Sequence, residues 1–294
     1  MLETNVYERR EKSSPMSVVP VSVLLSLYSR EKPQFLRESL SSIMEQTAMP
    51  AEVVMVLDGP VGDDLLGVLD EFARREGDAP DFRIVRLEKN MGLGRALSEG
   101  LRHCGNELVA RMDTDDVMMP QRIDEQYRYM ASHPDIAVCG AWIDEFVEQA
   151  DGSRHVVSTR RLPVEHDDIV SFGKGRNPMN HPVVMFRNSR VEAAGGYEHF
   201  PLFEDYYLWV KMLCRGEKFH NLPQSLLWFR QSDDVYKRRG GWRYAMDEVG
   251  FQRAICRLGY IGRVTMMKNV AIRFGVRLVP NGLRGLIYKR LLRK

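Results

Sequence analysis

Short apolar runs alternate with segments of helical periodicity through roughly the first third of the chain. The runs are rich in β-branched residues and leucine, and they predict strands at residues 20–27, 52–57, 82–87 and 107–112. The intervening segments predict helices that begin at Pro33 and that span about residues 62–76 and 91–103. This alternation predicts an α/β fold with a Rossmann-like, mostly parallel central sheet that is flanked by helices.

The pattern changes after residue 135, where shorter strand-like pieces mix with short helices. A further helix is predicted before Gly216, and a strand follows it. One apolar face of this helix is expected to contain Phe203, Tyr207, Val210 and Cys214.

The C-terminal segment, residues 236–294, is basic and has helical periodicity. One apolar face is formed by Phe251, Ile255 and Leu258, and a second by Leu283, Leu286, Ile287 and Leu291. The segment holds 15 of the 42 Lys and Arg residues but 2 of the 40 acids, so residues 1–235 carry a charge of −11. We expect a disordered lead-in over residues 1–16, the α/β domain over 17–235 and a basic amphipathic helical tail over 236–294.

The charge of the tail indicates an anionic partner, and amphipathic basic helices lie on anionic membrane surfaces. Packing of these helices on the α/β domain is the alternative. Nucleic acid is not expected as a partner, because the tail has no recognisable binding motif. The four cysteines form no CxxC pair, which argues against zinc and disulfides and fits a reducing compartment. The apolar run at residues 18–28 indicates a strand rather than a signal peptide, since its leader carries acids.

Three carboxylates follow the fourth predicted strand in the sequence ARMDTDDVMMP, residues 110–120. Asp113, Asp115 and Asp116 repel one another unless a cation lies between them, and Mg²⁺ or Mn²⁺ suits such oxygen ligands. Asp58 ends the second strand, so two strands direct carboxylates to the sheet edge where α/β proteins bind ligands. The alternative for the triplet is a solvated acidic turn before the helix that Pro120 begins.

Three other segments offer candidate chemistry. Gly92 precedes a helix in KNMGLGRALSEGL, residues 89–101, which suits either an anion at the helix N-terminus or a plain turn. Glu204 and Asp205 begin the aromatic-rich helix, where they act either as caps or as a partly shielded general base. Asn180 and His181 precede a strand, and they either contact an acceptor or serve the fold.

The order of these motifs resembles the family 2 glycosyltransferases of the GT-A fold, in particular bacterial enzymes of O-antigen, capsule and exopolysaccharide synthesis. The resemblance covers about residues 18–235 and implies a nucleotide-sugar donor. Asp113 is expected at the ribose, Asp115 at the Mn²⁺ or Mg²⁺ ion together with Asp113, and Asp205 as the catalytic base supported by Glu204. The full predicted donor set is Ser26, Tyr28, Glu31, Asp58, Asn90, Gly92, Arg95, Asp113 and Thr114. The predicted acceptor contacts are His181 and Asn180.

This chain departs from the family pattern at three places. Leu57-Asp58-Gly59-Pro60 stands where many members have DDGS, so one acid that contacts the base is missing. Ala96-Leu97-Ser98 stands where many members have ARN, so Arg95 is expected to substitute for the missing arginine. The QxxRW motif of processive members is absent, which favours addition of a single sugar.

The resemblance implies inverting, metal-dependent transfer of a hexose, from UDP-galactose or UDP-glucose, to an undecaprenyl-diphosphate-linked saccharide. The enzyme is then expected in the cytoplasm, peripheral on the inner face of the plasma membrane. A sugar nucleotidyltransferase and a catalytically silent nucleotide-sugar-binding subunit are the alternatives.

Overall fold

The computed structural model describes residues 17–75, 79–149, 151–231 and 242–278. The predicted lead-in and the leucine-rich face at residues 283–291 therefore lie outside the described residues. The strands are β1 (Ser17–Leu27), β2 (Ala48–Leu57), β3 (Asp81–Arg86), β4 (Leu108–Arg111), β5 (Val117–Met118), β6 (Ile136–Glu148), β7 (Arg154–Arg160), β8 (Met185–Arg187) and β9 (Lys218–Arg230). The helices are α1 (Pro33–Met44), α2 (Asp63–Ala73), α3 (Leu93–Leu101), α4 (Arg122–Ser132), α5 (His166–Gly173), α6 (Asn188–Ala193), α7 (Glu204–Cys214), α8 (Trp242–Arg257) and α9 (Arg263–Leu278).

The strands form one sheet in the order β3-β2-β1-β4-β8-β6-β9-β5, and β7 pairs with β6. The part built from β1 to β4 is parallel, as the alternation of strands and helices predicts. Beyond β4 the sheet is mixed, because β8 is antiparallel to both β4 and β6 whereas β6 and β9 run parallel. The carboxyl ends of β1, β2 and β4 thus meet at one edge.

The core lies on both faces of the sheet, because alternate residues of each strand point to opposite faces. In β1, Val23 and Leu25 join the cluster beneath α1 and α2, whereas Leu24 joins the cluster beneath α3. Helix α3 approaches the sheet closely at Gly100. A Cβ atom there would lie 2.5 Å from Cδ1 of Leu24 and 2.6 Å from Cγ2 of Val56. This close approach fixes α3, and with it the loop that precedes α3 at the sheet edge.

Helices α8 and α9 pack on the α/β domain. Phe251 of α8 is fully buried, and its ring stacks on Phe203 at 4.8 Å between centroids. Ile255 is also buried, whereas Leu258 is 39% exposed. The predicted face of Phe251 and Ile255 therefore covers α7 and is not available to a membrane. For α8 the structure shows the alternative, packing on the domain, because the aromatic residues of α7 provide an apolar partner within the chain.

Candidate active site

The acidic loop after β4 is anchored by a buried arginine. Arg111 is 1% exposed, and its Nη1 donates to Oδ2 of Asp113 at 2.8 Å while Nη2 donates to Oδ1. This two-point contact fixes the orientation of the Asp113 carboxylate, which remains one-third exposed. Sequence analysis missed Arg111, because an arginine inside an apolar strand looks like an exposed position when its partner is unknown.

The three carboxylates of the loop converge. Asp113, Asp115 and Asp116 each offer an oxygen, and these oxygens all lie within 4.8 Å of one another. Burial, followed by repulsion from Asp113 and Glu31, raises the pKa of Asp115 to about 7. Burial and repulsion from Asp115 raise the pKa of Asp116 as well. Such a cluster binds a hard divalent cation readily, since the cation relieves both the repulsion and the desolvation.

The surroundings of Asp116 indicate that the cluster fits a metal ion. It is fully buried, and its Oδ1 accepts a hydrogen bond from the backbone N–H of Arg230 at 2.9 Å. Its Oδ2 has no hydrogen-bond partner among the described residues. A buried carboxylate oxygen without a donor is unfavourable, so the residues present fit Mn²⁺ or Mg²⁺.

Arg230, the last residue of β9, holds the acidic loop from the other side. Its Nε donates to the carbonyl oxygen of Asp115 at 2.9 Å, and its guanidinium also binds Glu38 and Glu148. Thr114 donates from Oγ1 to Oε2 of Glu31 at 2.8 Å. Glu31 and Thr114 are thus brought together as parts of the loop framework, and their predicted contact with the donor stays a prediction.

Asp58 organises the neighbouring loop. Its carboxylate accepts hydrogen bonds from the backbone N–H groups of Met91 at 2.6 Å and Gly92 at 3.0 Å. The side-chain amide of Asn90 donates to the carbonyl oxygen of Asp58 at 3.3 Å. Gly92 has φ +85°, a conformation that favours glycine, and it directly precedes α3. Asp58 therefore shapes the loop through two backbone amides, and its predicted contact with the donor stays a prediction.

The other predicted donor residues lie at the same edge of the sheet. Ser26 and Tyr28 are half-buried at the end of β1, and Arg95 is exposed in the first turn of α3. The structure shows no ligand contact for them, so their roles also stay predictions.

Glu204 and Asp205 begin α7. This helix is buried on several sides, whereas the sequence predicted a single apolar face. Cys214 is exposed and Tyr207 half-buried, whereas Tyr206, Leu208 and Trp209 are buried. The prediction that Cys214 belongs to the apolar face was wrong. The buried residues of α7 are distributed around the helix because α7 lies between the sheet and α8. This enclosure explains the electrostatics of the acidic pair: burial raises the pKa of Asp205.

Asn177 holds the Asp205 carboxylate. Its Nδ2 donates to Oδ2 of Asp205 at 2.6 Å, and this hydrogen bond stabilises the ionised form. Burial, and then repulsion from Asp205, raise the pKa of Glu204 to about 7. Glu204 also contacts α3, since its Cγ lies 2.9 Å from where a Cβ on Gly94 would stand. Asp205 therefore has a fixed orientation and raised proton affinity, as a general base requires.

The predicted acceptor residues differ in accessibility. His181 is half-buried, and its Nε2 lies 2.8 Å from the hydroxyl of Tyr197. Burial and the charge of Arg111 lower the pKa of His181, so the imidazole is neutral. Asn180 is 1% exposed and donates from Nδ2 to the carbonyl oxygen of Ala141 at 2.9 Å. This enclosure argues against direct acceptor contact by Asn180, while the role of His181 stays a prediction.

Arg111 links the two groups of acids electrostatically. It contacts Asp113, and its charge also lowers the pKa values of Glu204 and Asp205, against the larger effect of burial. The charge of Arg111 thus acts on carboxylates of both the acidic loop and the start of α7. Sequence analysis also missed Asn177 and Arg230, because their roles depend on contacts between distant segments.

Comparisons with known proteins agree with this arrangement. The sequence model described as glycosyl transferase family 2 matches residues 22–191, more than half of the chain. The chain belongs to glycosyl transferase family 2. The amylovoran biosynthesis glycosyltransferase AmsE of Erwinia amylovora is 39% identical over 269 residues, which cover 92% of this chain and 98% of AmsE. An Escherichia coli UDP-Gal:alpha-D-GlcNAc-diphosphoundecaprenol beta-1,3-galactosyltransferase is 38% identical over 273 residues, which cover 93% of this chain and 96% of that enzyme.

Solved structures show the same fold. S. aureus TarS 1–349 in complex with UDP-GlcNAc has a TM-score of 0.62 and 15% identity, over 88% of this chain and 72% of that chain. The mannosyltransferase PcManGT of Pyrobaculum calidifontis, in complex with GDP-Man and Mn²⁺, has a TM-score of 0.60 and 15% identity, over 92% of this chain and 75% of that chain. These results confirm the expected GT-A type of α/β fold. This glycosyltransferase is thus related to bacterial enzymes of surface-polysaccharide synthesis.

Proposed function

We propose that this glycosyltransferase transfers one hexose from UDP-galactose or UDP-glucose to an undecaprenyl-diphosphate-linked saccharide, with inversion at the anomeric carbon. The observation that carries the proposal is the presence, under the charge of the same buried Arg111, of the carboxylate loop at residues 113–116 and of the half-buried base candidate Asp205. The relatives named for galactosyl transfer to a diphosphoundecaprenol acceptor and for amylovoran biosynthesis support this choice of substrates.

The carboxylate loop would hold a divalent ion near the diphosphate end of the donor. Asp115 and Asp113 would be its ligands, and Mn²⁺ or Mg²⁺ bound there would stabilise the negative charge of the leaving nucleoside diphosphate. Asp113 also accepts a hydrogen bond from the ribose, with its carboxylate oriented by Arg111. The convergence of the three carboxylates, the unpartnered Oδ2 of Asp116 and the Mn²⁺ complex of the structurally similar mannosyltransferase support metal dependence.

Asp205 acts on the acceptor. Its carboxylate takes the proton from the attacking hydroxyl while that oxygen forms a bond to the anomeric carbon and the bond from that carbon to the donor phosphate breaks. One displacement inverts the anomeric configuration, and it needs a base but no protein nucleophile. Asn177 keeps the carboxylate ionised and oriented before the acceptor binds. Glu204, on the neighbouring position of α7, supports the base and contacts α3.

The lipid-linked acceptor requires the enzyme to work at a membrane. Among the described residues, no helix is long and apolar enough to cross a bilayer. We place the protein at the inner face of the plasma membrane, as a peripheral enzyme that meets both the cytoplasmic nucleotide sugar and the acceptor. The positive charge of residues 236–294 supports contact with anionic lipids.

The test uses a water-soluble alkyl diphosphate that carries one acetylated hexosamine. The protein is incubated with this acceptor, Mn²⁺ and each member of a panel of UDP- and GDP-hexoses, and the disaccharide product and released nucleotide are measured. We expect UDP-galactose or UDP-glucose to give a product with inverted anomeric configuration by NMR, and EDTA to abolish its formation. Product with retained configuration, full activity in EDTA, or nucleotide release without transfer would contradict the corresponding part of the proposal.

The alternatives receive no support from the family. Sugar nucleotidyltransferases also have a parallel sheet and paired acids, but this chain belongs to a family of glycosyltransferases. A silent binding subunit is disfavoured by the chemistry of Asp205, which is half-buried, oriented by Asn177 and of raised pKa. The product assay with the panel of donors separates both alternatives from transfer.

A further inference from the structure

Helix α9 carries apolar side chains on its solvent side. Val264 is 82% exposed, Met267 68% and Ile272 52%. On the side toward the domain, Met266 packs against the aromatic cluster of α7 and α8, but two polar residues make the specific contacts there. Asn269 donates to the carbonyl oxygen of Lys174 at 2.8 Å, and Arg273 forms an ion pair with Glu248 at 2.9 Å. Exposed apolar side chains in such a group indicate a surface with a partner.

The exposed residues form one stripe along the helix. Val264, Met267 and Ala271 are spaced at i, i+3 and i+7, which places them on the same face. Ile272 lies at the border of this stripe. The exposed cations Arg263 and Lys268 lie on either side of this stripe. Each is next in sequence to an apolar residue of the stripe, Val264 or Met267, and is thus turned by about 100° around the helix axis from it. We call this set, Arg263, Val264, Met267, Lys268, Ala271 and Ile272, the α9 face.

The charge of the surrounding surface favours an anionic partner. Residues 242–278 contain seven Lys and Arg residues but two acids, Asp247 and Glu248. Glu248 is 1% exposed and is neutralised by Arg273, so it does not offset the exposed cations. An apolar stripe bordered by cations has the composition of helices that lie in the surface of anionic bilayers.

We propose that the α9 face is the surface with which this enzyme binds an anionic phospholipid bilayer. The inference rests on the proposed function, because a lipid-linked acceptor requires the active site to work next to a membrane. It also replaces the expected contact through Phe251 and Ile255, which the domain encloses. The apolar stripe enters the headgroup region, while Arg263 and Lys268 bind lipid phosphates.

A second copy of the chain is the less suitable occupant of this face. In a two-fold dimer the same patch meets itself, so each copy would present Arg263 and Lys268 to the other copy. Like charges at a desolvated interface oppose such contact. A bilayer of anionic lipids provides both the apolar phase and the opposite charge.

Vesicle flotation of the full-length protein tests the proposal, using vesicles of phosphatidylglycerol and phosphatidylcholine at low salt. We expect the protein to float with the phosphatidylglycerol vesicles and to bind pure phosphatidylcholine far less. Val264→Glu with Met267→Glu should lower the vesicle partition coefficient at least tenfold. Val264→Ser with Met267→Ser removes the apolar stripe without adding charge and should also lower it. Arg263→Gln with Lys268→Gln should lower it by about fivefold per cation, an effect that added salt reduces.

The matched control is Val18→Glu with Val156→Glu, which makes the same change in charge at exposed positions of β1 and β7. Circular dichroism and thermal unfolding confirm that each variant is folded. Unchanged flotation of both the glutamate and the serine variants, equal loss in the control, or failure of the wild-type protein to float would overturn the proposal. A wild-type dimer that the α9 variants dissociate, with no vesicle binding, would show that a second copy occupies the face.

Transfer to the water-soluble acceptor separates this inference from the proposed function. The α9 variants should keep wild-type transfer to that acceptor, because the α9 face contacts neither substrate in the proposed site. Flotation without any transfer would refute the proposed function alone. Transfer without flotation would refute the α9 face alone.

Discussion

Replacing Asn177 by alanine tests whether Asp205 is the catalytic base. The side-chain amide of Asn177 donates to Oδ2 of Asp205 at 2.6 Å, and it favours the ionised carboxylate in an environment whose burial raises the pKa of Asp205. A hydrogen bond to a charged group contributes about 1.5–3 kcal/mol. Its loss therefore raises the pKa of Asp205 further, because the protonated form does not depend on this donor.

The sign of the expected pH dependence follows from the role of the base. Asp205 must be ionised to accept a proton, so kcat/KM falls as the pH falls through its pKa. In Asn177→Ala this fall occurs at higher pH than in the wild-type protein. At a fixed pH on the acid limb, a loss of 1.5–3 kcal/mol corresponds to roughly 10- to 100-fold lower kcat/KM. Activity should recover toward the wild-type value as the pH rises.

The assay measures kcat/KM for transfer to the soluble acceptor between about pH 5 and 9, the range where donor and product are stable. Asn188→Ala is the matched control, since Asn188 donates to the carbonyl oxygen of Leu101 rather than to a carboxylate. An acid limb that stays in place in Asn177→Ala, or moves to lower pH, would refute the assignment of Asp205 as base. An equal loss at all pH values would show that Asn177 acts through the fold alone.

Three further predictions concern the base, the metal and the packing of α3. Asp205→Asn should reduce transfer about 10²- to 10⁴-fold while UDP-hexose binding by calorimetry stays intact, and loss of donor affinity would make Asp205 a donor ligand. Asp115→Asn should reduce transfer roughly a thousandfold and abolish the Mn²⁺-dependent rise in melting temperature, and an unchanged rise would exclude Asp115 as a metal ligand. Gly100→Ala should lower the free energy of unfolding by about 1–3 kcal/mol in urea titrations, because its Cβ meets Leu24 and Val56, whereas Gly67→Ala, with open space, should not.

Local patterns were sufficient to predict the parallel part of the sheet. The apolar runs predicted at 20–27, 52–57, 82–87 and 107–112 correspond to β1–β4, with ends that differ by a few residues. Most residues of β1, β2 and β4 are buried, while β3 is the half-exposed edge strand. Each of the four is followed by a helix or a sharp turn, so its signal is contained within a short stretch of sequence. The carboxylates that follow β2 and β4 could be assigned to one edge for the same reason.

The pairing of strands in the mixed part of the sheet could not be predicted in this way. Strand-like pieces were predicted after residue 135, but β5, with two residues, is too short for a recognisable period. The partners of β6 are β7, β8 and β9, and the parallel partner, β9, begins 70 residues after β6 ends. Local sequence does not encode such a partner, so the edge formed by these strands and the residues on it were missed.

Arg230 shows the same difficulty at the level of a single side chain. It donates from its backbone to Asp116, 114 positions earlier in the chain, and its guanidinium binds three other groups of the site framework. The local sequence shows an arginine at the end of a strand, but it does not show which groups this arginine contacts. The membrane face was misassigned for a related reason: helical periodicity located the apolar stripe of α8, but not the aromatic partner that covers it.

The seam between the two parts of the sheet explains why the site lies where it does. Strand β4 is parallel to β1 on one side and antiparallel to β8 on the other, so its carboxyl end is the point at which the parallel arrangement stops. Arg111 ends β4 and holds Asp113 on the donor side, while its charge reaches Asp205 on α7. In the proposed mechanism, the parallel part and its loops would therefore supply the groups for the nucleotide and the metal, and the later elements would supply the base. The charge of Arg111 lowers the pKa values of Asp115 and Asp116 as well as those of Glu204 and Asp205, against the larger effect of burial, so one guanidinium favours the ionised form in both sets of carboxylates.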